Sequence, residues 1–410
     1  MKIGITGQSG FMGTHLYNFL GLQEGVERIP FKDDYFKDNE KLQNWVKQCD
    51  IIVHLAAMNR HGDPQVIYDT NIHLVKTLIH ALEKTNSTPH VLFSSSTQEE
   101  RDNLYGQSKK DGRALLEQWA KKNNARFTGM IIPNVFGPFG NPYYNSVIAT
   151  FCHQLTHHEQ PEIHVDGELK LIYINELVEE FWGQMNRTQT RYSSGTQIKQ
   201  INTDKENSEN PPASHGRLTG RAGLRHQRSI NIYKVPFTKE IKVSEIFSLL
   251  ESYKSNYFEQ GIFPDLSNAF ERNLFNTFVC YIDIKNHYPV KLNLNTDGRG
   301  SFVETVKLQT GGQVSFSTTK PGITRGNHFH TRKAERFAVI KGKARIQLRK
   351  IGTDEVLNFE LDGTRPAYVD MPIWYTHNIT NIGDEEVYTI FWISEFFNPD
   401  DPDTYYEKVE

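Results

Sequence analysis

Four side chains toward the C-terminal end have the types and spacing of metal ligands. His328 and His330 are one residue apart, Glu335 follows five residues later, and His377 lies in Pro372-Ile373-Trp374-Tyr375-Thr376-His377. Residues i and i+2 of a strand point to one face, so the two histidines can converge. Imidazole and carboxylate donors together suit a borderline divalent ion, Zn²⁺ above all. A closed shell would make such an ion structural. An open position would let it polarise a ketone and stabilise the enolate formed when the adjacent carbon loses its proton. The sequence singles out no base for that proton; Lys320, Arg325 and Tyr375 stand nearby.

A second constellation lies near the other end. Tyr105 and Lys109 are four residues apart and share a face if the segment is helical. An ammonium there stabilises phenolate and lowers the tyrosine pKa from about 10. Such a phenol can give a proton to a carbonyl that is receiving hydride. Ser94-Ser95-Ser96 ends the strand before it and supplies a hydroxyl to hold the carbonyl oxygen. Thr6-Gly7-Gln8-Ser9-Gly10-Phe11-Met12-Gly13 joins a strand to a helix. Its glycines allow a tight turn and close approach of the backbone to a pyrophosphate at the helix N-terminus. Cofactor choice turns on Lys32-Asp33, at the end of the expected second strand. An acid there suits the ribose 2′-hydroxyl of NAD and a cation the 2′-phosphate of NADP; the expectation is NADPH, with Lys32 as its contact.

The elements that must position these groups fall into two styles. Apolar runs at 3–6, 51–55, 91–95 and 127–132 alternate with helical patterns at 12–20, 72–83 and 106–123. That alternation predicts a parallel sheet. Beyond residue 142 the pattern is less regular, as a substrate-binding subdomain would be. Residues 187–228 are polar, with a basic excess and few large apolar side chains, and read as a flexible insertion. Helical patterning returns at 243–254 and 266–280. From about 292 the chain reads as strands at 313–318, 336–340, 344–348, 367–369, 376–379 and 387–393, punctuated by glycine turns, which predicts a barrel or jelly roll. The expected fold is therefore a Rossmann-type α/β domain over 1–288 followed by an all-β barrel over 289–410.

Composition bounds the rest. A chain of 410 residues exceeds one ordinary domain. A net charge of −3 and a pI near 6.6 make no electrostatic case for nucleic acid or an anionic membrane. Three widely spaced cysteines, Cys49, Cys152 and Cys280, argue against a disulfide framework and for a reducing compartment. The sequence enters a strand at Lys2 without a signal-like segment, and no apolar run reaches the ~18–20 residues that span a bilayer. The expectation is a cytoplasmic protein.

Several further motifs carry a family resemblance. Over residues 1–285 the chain resembles the extended short-chain dehydrogenase/reductases. Besides the glycine loop and Tyr-x-x-x-Lys pair, His54-Leu55-Ala56-Ala57 resembles their segment beside the cofactor. Asn71 falls where they have a structural asparagine. Asn134-Val135-Phe136-Gly137-Pro138 resembles their nucleotide-sugar segment, with Ile131 where an arginine is frequent. The resemblance implies a catalytic set of Ser96 (ahead of Ser95), Tyr105 and Lys109. It implies cofactor contacts from Gly7, Gly10, Phe11, Met12, Gly13, Lys32, Leu55, Ala56, Ala57, Asn71, Tyr105 and Lys109. A substrate contact would come from Asn134, and by the two further resemblances given next also from Asn145 and Arg299.

The C-terminal strings resemble the two cupin motifs, with Trp374 where a glycine is usual, and Asp297-Gly298-Arg299-Gly300-Ser301-Phe302-Val303-Glu304 is similar to a segment of cupin-fold epimerases acting on nucleotide 4-keto-6-deoxysugars. Joined in one chain, the two halves resemble the CapF-type enzymes of bacterial capsule and O-antigen synthesis. That resemblance implies a cytoplasmic homodimer with a UDP-sugar substrate, NADPH and Zn²⁺. The cupin would epimerise carbon 3 of a UDP-2-acetamido-2,6-dideoxy-4-hexulose, and the reductase would then reduce its 4-ketone toward UDP-N-acetyl-L-fucosamine. Two other readings are a 4-ketoreductase whose barrel is a non-catalytic zinc-stabilised module, and a dehydratase or 4-epimerase that recycles its cofactor. Thr97-Gln98, in place of an Asp-Glu pair, argues against a dehydratase.

Overall fold

A computed structural model describes residues 1–186, 230–298 and 300–410; the expected insertion at 187–228 and Arg299 lie outside the described residues. The N-terminal half is built on a six-stranded parallel sheet. Its strands are β1 (Lys2–Thr6), β2 (Glu27–Ile29), β3 (Ile51–His54), β4 (His90–Ser96), β5 (Phe127–Ile132) and β8 (Ile230–Lys234), in the spatial order β2-β1-β3-β4-β5-β8. The inner strands are apolar on both faces because helices cover both sides. One face buries Ile3, Ile5, Leu16, Leu20 and Val53, and the other buries Trp45, Leu78, Leu116, Trp119 and Phe127. Helix α1 (Phe11–Leu20) follows the glycine loop, and α2 (Asn39–Val46) precedes β3.

Helix boundaries follow their caps. Helix α3 (Pro64–Lys84) begins eight residues before the expected 72, because Asp63 accepts from the Gln65 N–H and Pro64 takes the first turn. Helix α4 (Leu104–Lys122) is capped by Asn103, which accepts from Gly106 N–H. The irregular region past 142 contains α5 (Val147–Thr156), capped by Ser146, and α6 (Ile174–Asn186). A small sheet joins β6 (Asn134–Phe136), β7 (Glu168–Tyr173) and β9 (Lys239–Lys242). Helices α7 (Val243–Tyr253) and α8 (Ala269–Val279) flank β10 (Ile262–Phe263), and α9 (Ile284–His287) closes the helical region.

From β11 (Val290–Lys291) onward every regular element among the described residues is a strand. A hairpin, β12 (Leu294–Asp297) and β13 (Gly300–Val303), and β14 (Lys307–Leu308) come first. They are followed by β15 (Gln313–Thr319), β16 (Thr324–Phe329), β17 (Glu335–Lys341), β18 (Lys343–Lys350), β19 (Val356–Asp362), β20 (Ala367–Met371), β21 (Tyr375–Asn381), β22 (Val387–Ile393) and β23 (Tyr405–Tyr406). Two five-stranded sheets, β11-β20-β17-β22-β15 and β19-β18-β21-β16-β23, make the walls of an all-β barrel. Their inner faces enclose Ala338, Ile346, Leu348, Val369 and Ile379.

The two halves are packed through a shared seam. Strand β10 pairs in parallel with β14, and Trp392 of β22 lies 4.4 Å, centroid to centroid, from Phe263. Arg336 of β17 is fully buried and grips Asp370 of β20 through Nε at 2.7 Å and Nη2 at 2.8 Å, while Nη1 donates to the Gly261 carbonyl at 2.9 Å. Its guanidinium stacks 3.6 Å from the Tyr368 ring centroid, and Tyr257 donates to Asp370 Oδ2 at 2.7 Å.

Candidate active site and metal centre

The glycine loop is shaped by contacts that a side chain would block. Gly7 has φ +68°, and a Cβ there would stand 2.8 Å from Ala56 N. A Cβ at Gly13 would fall 2.2 Å from the Gly7 carbonyl oxygen. The N-terminus of α1 is thereby brought against the segment after β3. Thr6 Oγ1 meets His54 Nδ1 at 2.7 Å and accepts from the Ala56 N–H at 3.3 Å, so Leu55 and Ala56 stand against the loop just past β3, and Ala57 follows them in that segment. Asn71 serves the same wall. Its Oδ1 accepts from Met58 N–H at 2.7 Å and its Nδ2 donates to Met58 O and Ser108 Oγ, so its amide is wholly engaged in positioning. At the end of β2, Lys32 is exposed and caps a short 3₁₀ turn, whereas the Asp33 carboxylate accepts from Ser9 Oγ at 3.0 Å.

Tyr105 and Lys109 share a face of α4, as their spacing predicts, but burial reverses the expected titration of the phenol. Burial pushes Tyr105 up to about 12, with the neighbouring Tyr144 adding to it. The Lys109 ammonium donates to the Ser94 carbonyl at 3.0 Å and lies 5.8 Å from the Tyr105 ring centroid. Burial lowers Lys109 to about 8. The phenol is thus held protonated, the form a proton donor needs.

The serine run separates by strand alternation. Ser94 donates to the His54 carbonyl at 3.2 Å, and Ser95 donates to Glu99, itself paired with Arg113 at 2.7 Å. Ser96 is half-buried and accepts from the Gln98 N–H at 3.2 Å. Asn134, in β6, and Asn145, at the end of the Gly137–Asn145 loop, are both exposed. One residue that the sequence did not flag shapes this rim. Arg60 Nη1 donates to the carbonyls of Tyr143 and Tyr144, the latter at 2.9 Å, which ties the loop after β3 to the loop bearing Tyr144. An arginine without a spacing motif leaves no sequence signal of that kind.

In the barrel, His328, His330, Glu335 and His377 converge, with one ligand atom from each lying within 4.8 Å of the others. A bulge at Gly326–His328, with Asn327 at φ +61°, shifts the register so that His328 stands opposite His377. His377 Nδ1 donates to the Tyr375 carbonyl at 3.2 Å, and His330 Nδ1 donates to the Asp403 carbonyl. Each ring has placed its proton at Nδ1, so its Nε2 lone pair faces Glu335 Oε2 at 3.2 Å. His330 Nε2, His377 Nε2 and Glu335 Oε2 are buried without a hydrogen-bond partner. Three orphaned lone-pair atoms aimed at one point fit a divalent cation, because burying them unpaired would otherwise be costly. Burial lowers His328 to about 4, with His377 and His330 adding to it, so its imidazole is neutral near pH 7. The three residues weighed as bases scatter: Arg325 donates to the Thr318 carbonyl, Tyr375 packs against Phe139, and Lys320 is exposed.

Comparison with known proteins covers both halves. Residues 3–192 match the NAD dependent epimerase/dehydratase family, and residues 295–405 match the polysaccharide biosynthesis C-terminal domain. A capsular polysaccharide assembling protein, CapF from Staphylococcus aureus, is 32% identical with a TM-score of 0.57, covering 100% of both chains. The UDP-2-acetamido-2,6-beta-L-arabino-hexul-4-ose reductase of Pseudomonas aeruginosa is 29% identical over 406 residues, 99% of this chain and 98% of that protein. The spore coat polysaccharide biosynthesis protein SpsL of Bacillus subtilis is 27% identical over 123 residues, 28% of this chain and 82% of its own length.

Proposed function

This chain belongs to the CapF family of capsular polysaccharide assembling proteins, and on that premise we propose that it acts twice on one UDP-linked 4-ketosugar. The proposed reductase unit spans residues 1–288 and the proposed epimerase unit 289–410. The proposed substrate class is a UDP-2-acetamido-2,6-dideoxy-4-hexulose, supported by the UDP-2-acetamido-2,6-beta-L-arabino-hexul-4-ose in the name of the Pseudomonas relative. The carrying observation is the presence in one chain of a buried phenol–ammonium pair behind a glycine loop and a buried three-histidine, one-glutamate set.

When bound, NADPH supplies hydride to carbon 4 and Zn²⁺ supplies Lewis acidity beside the ketone. Tyr105 donates its proton to the 4-oxygen, and the Ser96 hydroxyl holds that oxygen in place. Lys109 orients the phenol and anchors the end of β4 through Ser94. Gly7, Gly10, Phe11, Met12 and Gly13 would seat the pyrophosphate and Lys32 the 2′-phosphate, while Asp33 is engaged by Ser9. Asn134 and Asn145, with Arg299, would contact the sugar nucleotide. His328, His330, Glu335 and His377 would hold the ion where the proton on carbon 3 is acidified by the 4-ketone. Exposed Val314 and Phe316 on β15, an edge strand, and Phe302 on the β12–β13 hairpin support pairing of two copies; light scattering at a single chain's mass would refute it.

The two activities separate by mutation. Tyr105→Phe is expected to lose NADPH oxidation yet retain solvent deuterium exchange at carbon 3. His328→Ala is expected to lose exchange and still oxidise NADPH on the already epimerised ketosugar. Exchange surviving in both variants overturns the assignment to the barrel and leaves a 4-ketoreductase with a zinc-stabilised module.

A further inference from the structure

The turn that carries His330 into Glu335 is held from outside by the end of the chain. Asp403 is 2% exposed, and its carboxylate is fully engaged by that turn. Oδ1 accepts from the Thr331 N–H at 3.0 Å and the Thr331 hydroxyl at 2.6 Å, and Oδ2 accepts from the N–H groups of Arg332 at 3.1 Å and Lys333 at 3.0 Å. The carbonyl of the same residue receives the Nδ1 proton of His330. One residue therefore fixes both the backbone that follows a ligand and the tautomer of the ligand itself. Its neighbours reinforce the strap. Lys333 donates to the Pro402 carbonyl at 2.7 Å, Arg332 pairs with Asp401 at 2.8 Å, and Tyr405 stacks on Phe329 at 5.3 Å while β23 pairs with β16.

We propose that Asp403 is a positioning residue of the metal centre, and that the C-terminal strap it anchors sets the affinity of the His328, His330, Glu335 and His377 site for a divalent cation. Outer-shell partners that orient a ligating imidazole typically govern metal affinity by 10–100-fold. Asp403→Asn keeps the shape and the carbonyl but turns an N–H₂ group toward two backbone N–H donors, so the turn must shift. The inference rests on the reading above that these four residues hold a metal.

The test is competition for Zn²⁺ between full-length protein and a chromophoric chelator, with the visible absorption of the Co²⁺-loaded protein as a second readout. Asp403→Asn is expected to weaken Zn²⁺ binding by about 10–100-fold and to alter the Co²⁺ absorption. Thr331→Val, which deletes one of the four bonds, should fall between. Lys408→Ala on the exposed side of the tail should match the parent chain. NADPH binding, unchanged in each variant, reports an intact fold. Parent-like affinity and absorption in Asp403→Asn overturn the proposal. Should Asp403→Asn fail to fold, parent-like behaviour of Thr331→Val overturns it instead. A parent chain that takes up neither ion overturns the metal reading itself, a distinguishable failure.

Discussion

The Lys109 ammonium sits 4% exposed with one hydrogen bond, to the Ser94 carbonyl, in a site whose walls lower its pKa from 10.5 to about 8. Holding that charge opposes folding by about 3 kcal/mol. Between about pH 8 and 10.5 the native lysine is neutral while the unfolded one is protonated. The unfolded state then binds more protons, so this group's penalty is full below 8 and is relieved as the pH rises toward 10.5. Lys109→Met is therefore expected to abolish reduction while leaving the chain at least as stable as the parent at pH 7. The stability difference should narrow from pH 8 to 10.5 in urea titrations; a parent more stable at pH 7 would contradict this account. A buried ammonium that weakens the fold is the kind of local conflict that the role proposed for Lys109 would explain.

At the scale of elements, the turn into β21 shows how a barrel segment was adapted to its neighbour. Trp374 has φ +63°, a left-handed conformation that glycine accepts without strain, which accounts for glycine being usual there. The indole stacks on Phe329 at 5.5 Å and stands edge-on to His15 of α1 at 6.4 Å, inside a cluster with Ile373. Its packing thus joins the glycine-loop helix to the strand carrying His377. Replacing Trp374 by either glycine or alanine forfeits that packing, about 3–5 kcal/mol. Alanine also retains a left-handed backbone cost of roughly 1 kcal/mol. Trp374→Gly should therefore be more stable than Trp374→Ala in thermal unfolding, the reverse of the usual helix-interior order. The amphipathic period of α3 and α4 was readable because it is local, whereas the Asp63 cap that starts α3 eight residues before the expected 72 was not used. α5 and α6 were not separated from an irregular stretch, since their apolar faces pack against α7, α8 and α1, which no local pattern announces.

For the whole molecule, the seam between the halves is an energetic unit rather than a linker. The Arg336–Asp370 pair is buried, bidentate and enclosed by Phe263, Tyr368 and Tyr257. Asp370→Ala would leave a guanidinium buried without its partner, a loss of about 3–5 kcal/mol. Replacing both members by apolar groups, Arg336→Met with Asp370→Leu, should recover most of it in chemical denaturation. Failure of the double variant to recover would show that the bonds to Gly261 and Tyr257 dominate. Across this seam the helical and barrel cores are continuous through Trp392.

The sequence by itself determined what could be written in short spacings. It specified the glycine loop, the i,i+4 tyrosine and lysine, the histidine–glutamate run and the change from alternating elements to strands, because period and local ligand geometry act over a few residues. Only the tertiary structure decided the rest. His377 meets His328 across 49 positions through a bulge, Tyr257 reaches Asp370 across 113, and burial rather than the neighbouring ammonium governs the Tyr105 phenol. Desolvation and long-range contact depend on what surrounds a group after folding, and no local pattern encodes them.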